Sequence, residues 1–336
     1  MNKKLLTVAV TAGLAATSMS AIAADATIYG RISQEWVNVE GNTGKDDTEV
    51  NEPGNSYWGL SVKEKLSGGL TALAKIEWAV GGADTGHGDR QQWVGMSGNF
   101  GTIALGSFNG IYKSTNPDPL NASFLEARGN GGVSGGNMGH QSYINNAVMW
   151  ESPTVSGITA SVMMMDEQAS GVGNQWQASV KYENGPMKFW LAHSESPGDS
   201  AVTTGDDASL TKIGGSMSMA GMTFYLQYED DDGGLNDPSA NGSVQTGSTT
   251  VATDAAQDGE VLLVGATYKM GNTTLVGQYG NSDYDGTANE TDYFALAAIH
   301  NFSKTTKIYG GWRQTDNDTA GQTEIDLFGV GLQVNF

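Results

Sequence analysis

The acidic stretch "NSDYDGTANETD" has residue types and a spacing that could bind calcium. Oxygen-bearing side chains occupy positions 1, 3, 5 and 12 of the twelve-residue calcium-loop pattern, and glycine occupies position 6. These side chains are Asn281, Asp283, Asp285 and Asp292. The match is incomplete, because position 12 is Asp rather than a bidentate Glu and strand-like segments flank the loop. A weak calcium loop and a solvated turn are therefore both open, and no other cofactor is expected.

No set of side chains points to catalysis. The chain has no cysteine, and its four histidines are far apart in sequence, at His87, His140, His193 and His300. They form no zinc-binding spacing, and no serine motif offers a nucleophile with a nearby base. The sequence therefore predicts that the protein is not an enzyme.

The stretch "NPDPLNASFLEARGNGG" combines charges with an apolar pair. Asp118 can cap a helix that Pro119 starts, and Leu120 and Phe124 are four residues apart on one face of that helix. A loop with its own helix and apolar pair is expected to pack against another part of the molecule.

The first 23 residues read as a secretory signal, which leaves one domain over residues 24–336. The signal has two lysines, a short apolar run and the small-residue pattern Ala21-Ile22-Ala23. The whole chain has a formal net charge of -20, so nucleic acid is a poor partner.

The elements that must position these residues are short strands. Two-residue periodicity recurs from end to end, and tight turns alternate with long loops, which is typical of an outer-membrane β-barrel. A soluble sandwich is the alternative, although its loops would not alternate so regularly. We count sixteen candidate strands, at 27–37, 57–66, 69–78, 90–97, 101–107, 141–151, 156–165, 175–183, 186–194, 209–219, 221–229, 259–269, 272–280, 291–300, 304–314 and 325–336.

One parity of most strands is apolar and free of charge, as a lipid-facing surface requires. In the first strand Ile28, Ile32 and Trp36 oppose Arg31 and Glu35. The strands at 90–97 and 291–300 do not show which face is outward. Aromatic residues at strand ends predict two interfacial girdles, an outer one of Trp36, Trp78, Tyr228 and Trp312 and an inner one of Trp150, Tyr182, Tyr268 and Phe336.

Several stretches resemble the general porin family of Gram-negative outer membranes. They are "ATIYGRI", "YWGLSVKEKLSGGLTALAKIE", "RQQWVGMSGNFGTIALGS", "NNAVMWESPTVSGI", "HNFSKTTKIYGGW" and "FGVGLQVNF", in the family's order. The resemblance implies an all-β fold, a homotrimer of 16-stranded antiparallel transmembrane β-barrels with an inward-folded third loop at about 108–140. It also implies that Phe336 is the signal that the barrel-assembly machinery reads.

By this resemblance the third loop narrows the pore, and its charges Asp118, Glu126 and Arg128 are the constriction candidates. An exposed loop with solvated charges is the alternative for each of them. The family's basic wall is thinned here, since polar or apolar residues such as Gln333 stand where arginine or lysine is usual. The candidate pore wall consists of Arg31, Glu35, Tyr57, Lys63, Lys75, Arg90, Tyr143, Met149, Lys181 and Arg313.

The resemblance implies a diffusion channel for small hydrophilic solutes and ions in the outer membrane, in contact with lipid and lipopolysaccharide. Acidic loops such as "GKDDTEVNE" and "YEDDDGG" predict cation selectivity, because negative potential at a mouth concentrates cations. A substrate-specific channel, for instance for an oligosaccharide, is the main alternative and would use an aromatic track of Tyr57, Tyr143, Tyr225 and Tyr309. A purely adhesive barrel is a further alternative.

Overall fold

The fold is known from a computed structural model, which describes residues 24–41, 47–53, 55–80, 89–127, 143–165, 175–196, 208–232, 258–284, 290–317 and 324–336. These residues form seventeen strands in one sheet. The strands are β1 Asp25–Glu40, β2 Asp47–Asn51, β3 Tyr57–Lys65, β4 Thr71–Ala79, β5 Asp89–Gly98, β6 Gly101–Asn109, β7 Tyr143–Glu151, β8 Ile158–Met165, β9 Trp176–Asn184, β10 Met187–Ser196, β11 Ala208–Met219, β12 Met222–Asp232, β13 Gly259–Met270, β14 Thr273–Tyr284, β15 Thr291–Asn301, β16 Thr306–Asn317 and β17 Ile325–Asn335.

The seventeen strands occupy sixteen positions around the barrel wall, because β2 and β3 pair with successive parts of β1 and so share one position. Asn51 of β2 is the register partner of Glu35, and Tyr57 of β3 is the partner of Arg31. All sixteen candidate strands are confirmed, and β2 is the addition that the alternation pattern did not predict. Two helical turns complete the described elements, the 3-10 turn Ser67–Gly69 and the helix α1 Ile111–Ser114. Among the described residues no helix is long and apolar enough to cross a membrane.

The sheet closes on itself as an antiparallel barrel. β17 pairs with β1 from Arg31 and Asn335 to Glu40 and Asp326. The last residue extends this pairing, since Gly30 N donates to Phe336 O at 3.0 Å and Phe336 N donates to Gly30 O at 3.1 Å. Closure leaves no unpaired edge along this seam. The first described residue, Ala24, and the last residue, Phe336, lie at the rim of the tight turns, which we call the turn rim, and the opposite rim is the loop rim.

The outer surface is apolar, as the strand patterns predict. Ile28 is 68% exposed and Phe328 is 61% exposed on the outward face, whereas Ser33 and Glu35 point inward and are buried. Such an apolar belt suits hydrocarbon, because one Arg or Lys there would cost about 2–4 kcal/mol. The predicted girdle aromatics all lie on the outward parity of their strands.

The two ambiguous strands are also assigned. In β5 Val94 points outward, while Trp93 points inward and stacks on Phe108. In β15 Leu296 points outward, while Ala295 and Ala297 point inward and are buried. A bulge in the pairing of β4 with β5, between Ile76 and Trp78, accompanies a local change of facing, so that Arg90 also reaches the interior.

The third loop leaves β6 and runs along the inside of the barrel. We call its described part, residues 110–127, the inner loop. It begins with α1 and continues without regular structure. The predicted helix starting at Pro119 does not form. Asp118 does accept a hydrogen bond from Leu120 N at 2.8 Å, but it also accepts one from Ala127 N at 3.0 Å, and Ala122 has a positive φ of 65°. Side chains thus satisfy the loop backbone in place of a helix.

Candidate functional site

The inner loop is seated on one side of the lumen by apolar packing. Leu120, Phe124 and Leu125 are fully buried in a cluster with inward residues of β1 and of β12 to β17. The small side chains of Ala295 and Ala297 on β15 belong to this cluster. The apolar inner face of β15 is therefore a seat for the loop and is not exposed to the lumen.

A buried carboxylate and a buried guanidinium hold the same part of the loop. Glu35 accepts a hydrogen bond from Phe124 N at 2.9 Å and one from Tyr309 OH at 2.7 Å. Arg313 donates from Nη1 to Phe124 O at 3.1 Å. Each of these two side chains is 1% exposed. This corrects the assignment of Glu35 and Arg313 to the pore wall, since both lie on the inward face but beneath the loop.

The acidic residues of the loop are also inside its fold. Asp118 is buried and receives a third hydrogen bond from Gln278 Nε2 at 3.0 Å. Glu126 is buried and accepts from Ala122 N. Their role as constriction charges is corrected accordingly, because both carboxylates cap loop backbone instead of facing the lumen.

The beginning of the loop is held by a second polar cluster. Tyr112 OH donates to Glu229 Oε2 at 2.7 Å, and Gln177 Oε1 accepts from Tyr112 N at 3.1 Å. The ammonium of Lys212 lies 3.9 Å from the centroid of the Tyr112 ring and 3.6 Å from Glu229 Oε1. The loop is thus fixed to the wall near both ends of its described length.

Glycines on the wall make room for aromatic side chains that reach the anchors. A Cβ on Gly331 would lie 2.4 Å from Tyr309, and a Cβ on Gly265 would lie 2.3 Å from Tyr225. Each ring therefore crosses a glycine strand and bonds to the strand beyond, where Tyr309 meets Glu35. Two further rings do the same, as Trp190 crosses Gly214 to donate to Gln227 and Tyr29 crosses Gly59 to donate to Glu77.

The wall that the inner loop leaves uncovered has a cluster of cations and tyrosines. The Arg90 guanidinium lies 4.6 Å from the Tyr57 ring centroid and 5.0 Å from that of Tyr143. Arg31 lies 5.8 Å from the Tyr57 ring, and Lys113 of α1 lies 4.7 Å from the Tyr143 ring. The rings and the cations hold one another by cation–π attraction.

One carboxylate, Glu77, lies within this cluster. It accepts hydrogen bonds from Tyr29 OH at 2.8 Å and Gln91 Nε2 at 3.0 Å, and its Oε1 lies 2.8 Å from Lys75 Nζ. The Nε of Arg90 is 3.7 Å from Glu77 Oε2. Glu77 therefore offsets part of the positive charge of this cluster.

Comparison with known proteins identifies the family to which this barrel belongs. A family model described as Gram-negative porin matches residues 8–320. The chain belongs to the Gram-negative porin family. It is 27% identical to the major outer membrane protein P.IB of Neisseria gonorrhoeae, over 90% of this chain and 91% of that protein. Its fold is similar to an anion-selective porin from Comamonas acidovorans, with a TM-score of 0.72, 18% identity and coverage of 94% of this chain and 100% of that one.

A third similar structure is the trimer form of OmpT from Vibrio cholerae. The TM-score is 0.66 at 14% identity, over 94% of this chain and 100% of that one. These structural likenesses concern the fold. Family membership makes this porin a passive outer-membrane channel rather than an enzyme, and the turn rim is then its periplasmic rim.

The remaining wall candidates of the porin are spread along the lumen. Lys63 is exposed near the periplasmic rim. Met149, like Trp93 and Ile144, packs against a buried apolar cluster on β6, α1, β7 and β8. Lys181 borders a recess of about 470 Å³ beneath Ser114 to Pro119. Arg128 lies outside the described residues.

The calcium-loop residues of the porin are on its outer surface, where β14 and β15 pair. Asn281 is the register partner of Asp292 and donates to its Oδ1 at 3.1 Å, and Tyr279 OH donates to the same oxygen at 2.5 Å. Asp283 is exposed, and Asp285 lies outside the described residues. No group of three acidic or histidine side chains that could hold a metal occurs in the described ranges. The calcium site stays a prediction.

Sequence reasoning missed the partners that hold the inner loop. Tyr112, Lys212 and Glu229 come from elements that are distant in sequence. Strand parity could have placed Tyr29 and Glu77 on the lumenal face, but parity does not reveal that a glycine between them lets them touch. The glycines opposite inward aromatic residues were the available signal.

Proposed function

We propose that this porin is a general diffusion channel for small hydrophilic solutes and ions. The observation that carries the proposal is the one-sided seat of the inner loop. The loop covers the inward face from β12 round to β1 and leaves the polar wall of β3 to β5 and β7 facing the lumen. A loop seated in this way narrows the pore without enclosing a solute. The size and charge of a solute then decide whether it passes.

The second part of the proposal is cation selectivity at low ionic strength. The chain has 37 acidic and 17 basic residues, and exposed acidic residues such as Asp230 and Asp232 end β12 at the loop rim. Several wall cations have carboxylate partners, including Lys75 with Glu77 and Lys212 with Glu229. The local cluster around Arg90 is nevertheless cationic, so the acidic mouth and the constriction act in opposite directions.

The contributions of the acidic mouth and of the cationic cluster can be separated by varying the salt concentration. The Debye length is about 30 Å at 0.01 M and about 3 Å at 1 M ionic strength. We expect reversal potentials across a potassium chloride gradient to indicate cation preference near 0.01 M, and the preference to fall as salt rises, because the mouth charges are screened first. Single channels in planar lipid bilayers provide the measurement. Anion preference at the lowest salt would overturn the proposed selectivity.

A substrate-specific channel has less support. Of the four tyrosines in the predicted aromatic track, Tyr225 is 5% exposed and Tyr309 is 3% exposed. Both rings are occupied in anchoring the inner loop. Tyr57 and Tyr143 remain on the open wall, where they contact Arg90. A continuous track for a sugar chain is therefore not part of our proposal.

The proposed assembly is a homotrimer in contact with lipid and lipopolysaccharide. It is supported by the trimer form of a similar structure and by the apolar outer belt. The proposal includes removal of residues 1–23 during export, and recognition of Phe336 by the barrel-assembly machinery. Gel electrophoresis of unheated and boiled samples tests the oligomer. We expect a trimer band in the unheated sample that dissociates to monomer on boiling, and a monomeric band under all conditions would contradict the proposal.

A further inference from the structure

We propose that a calcium ion binds inside the barrel and joins the inner loop to the wall. Its protein ligands are Ser33 Oγ, Glu35 Oε2 and Asn55 Oδ1, which together we call the oxygen site. The oxygen site is separate from the predicted calcium loop on the outer surface. It goes beyond the proposed channel function and does not depend on it.

The first support is a set of buried oxygens that have no hydrogen-bond partner. Ser33 is 0%, Glu35 is 1% and Asn55 is 5% exposed, and one side-chain oxygen of each has no partner within the described ranges. Leaving a buried polar atom unpaired is costly, so these oxygens indicate a ligand that the chain itself does not supply. Single buried hydroxyls such as Ser179 Oγ are also unpaired. Among the described residues, however, Glu35 Oε2 is the only carboxylate oxygen of this kind.

The three oxygens belong to segments that are held against one another. Ser33 and Glu35 are two residues apart, so both project from the inward face of β1. Ser33 N donates to Ser56 Oγ at 3.0 Å, and that hydroxyl donates to Ser33 O at 3.4 Å. The bend between β2 and β3 is therefore fixed over β1, and Asn55 directly precedes the point of attachment.

The inner loop closes the same region from the lumenal side. Asn55 Nδ2 donates to Ala122 O, and Glu35 Oε1 accepts from Phe124 N at 2.9 Å. The loop thus uses one polar atom of each side chain and leaves Asn55 Oδ1 and Glu35 Oε2 without a partner. A cation shared by these oxygens joins β1, the bend and the loop at one point.

The second support is the sign of the local charge. The salt bridges among the described residues do not include Glu35. The charges that act on Glu35 most strongly are those of Glu126 and Glu52, and both are negative. The positive charge of Arg313 acts on Glu126 and Asp118. A buried water can satisfy the hydrogen bonds of the three oxygens, but only a cation also offsets a buried negative charge.

The chemistry of the ligands favours calcium among the cations. Carboxylate, amide and hydroxyl oxygens are hard ligands, and calcium takes about six to eight oxygens in a flexible geometry. The oxygen site supplies three of them and leaves the others to water. Magnesium demands near-ideal octahedral geometry and loses its water reluctantly. Side chains whose positions are set by other contacts therefore suit calcium better.

Titration calorimetry with calcium, on the porin refolded in detergent, tests the oxygen site. The background is Asp283→Asn, which removes a ligand of the predicted outer loop, and we expect it to keep one saturable binding event per chain. The key variant, made in this background, is Glu35→Gln. Its Oε1 can still accept from Phe124 N and Tyr309 OH, but an amide nitrogen replaces Oε2. We expect the affinity to fall about tenfold, because calcium affinity depends on the charge of the ligands.

A second pair of variants tests the hydroxyl ligand in the same background. Ser33→Ala should weaken calcium binding severalfold. Ser179→Ala is the matched control, because Ser179 is also a buried hydroxyl without a partner, but it lies on β9. It should leave the affinity unchanged. Calcium should also lower open-channel current noise in the background protein and not in Glu35→Gln, because the ion fixes the inner loop to the wall.

Three results would count against the oxygen site. Absence of a saturable heat in the Asp283→Asn background is expected if a proton or a buried water occupies the site, and it would overturn the proposal. Equal calcium affinity with and without Glu35→Gln, or equal losses in Ser33→Ala and Ser179→Ala, would overturn it as well. Magnesium binding as tight as calcium binding would overturn the assignment of the ion.

Discussion

Glycines in the barrel wall act by leaving room for the side chains of neighbouring strands. Gly331 has no side chain, and the ring of Tyr309 occupies the space that a Cβ would fill. The Tyr309 hydroxyl reaches Glu35 on the next strand, and Glu35 accepts from the backbone of the inner loop. A glycine therefore contributes to the constriction without touching the loop.

Substitution of Gly331 should loosen that anchor. In Gly331→Ala the new Cβ would lie 2.4 Å from Tyr309 Cζ, so the ring must move and its hydrogen bond to Glu35 is expected to break. The loss should cost about 1.5–3 kcal/mol and raise open-channel current noise. Gly277→Ala is the control, because a Cβ there meets only Leu296 at 3.4 Å. Equal noise in both variants would contradict this role for Tyr309.

The lumenal face of single residues could be predicted from sequence, but their partners could not. Alternation correctly puts Arg31, Glu35 and Lys75 on the inward parity. It does not distinguish Lys75, which borders the open wall, from Glu35, which lies beneath the loop. That difference depends on contacts between segments up to 304 residues apart, such as Arg31 with Asn335, and no local pattern encodes such contacts.

Among the elements, β15 and the inner loop explain one another. The inward face of β15 has alanines where other strands have polar residues, because that face meets Leu120, Phe124 and Leu125. The sequence showed both halves of this packing as anomalies, an apolar pair in a loop and a strand apolar on both faces. Joining them required the barrel, since closure is what brings the third loop against the fifteenth strand.

Removal of the central ring should release the loop while the barrel stays folded. Phe124→Ala deletes a fully buried ring, which should cost about 3 kcal/mol of packing free energy. The strand ladder does not depend on that ring, so we expect larger and noisier single-channel conductance with unchanged heat-modified mobility on gels.

Phe302→Ala provides the comparison for Phe124→Ala. Phe302 is exposed at a periplasmic turn, and its loss should leave conductance as in the wild type. Unchanged conductance in Phe124→Ala would show that the inner loop keeps its position without the apolar seat.

At the scale of the whole molecule, the architecture was predictable because lipid imposes a simple rule. Every backbone group must be paired within the sheet and the outward side chains must be apolar, so strand number and facing follow from alternation and turns. The helix predicted at Pro119 failed because the loop is not under that rule. There, Asp118 and Glu126 bond to nearby backbone donors and decide the conformation.

Variants of the terminal residue Phe336 separate closure of the barrel from recognition by the assembly machinery. Phe336→Ala keeps both backbone hydrogen bonds to Gly30 and removes only the ring. We expect it to refold in detergent nearly as well as the wild type, and to accumulate poorly in the outer membrane of cells. Deletion of Phe336 also loses the two hydrogen bonds, about 1 kcal/mol each, and should fail more in both assays. Full accumulation of Phe336→Ala in cells would exclude a signal in the side chain.

The seam between the first and last strands has a consequence for the order of assembly. Glu35 is on β1, Gly331 is on β17 and Tyr309 is on β16, so the anchor that holds Phe124 N is completed only when the two ends of the chain meet. A barrel still open at the seam would lack this part of the loop's docking surface. The permeability barrier of the channel is thus a late product of folding, and an incompletely closed molecule would be a leak rather than a narrower pore.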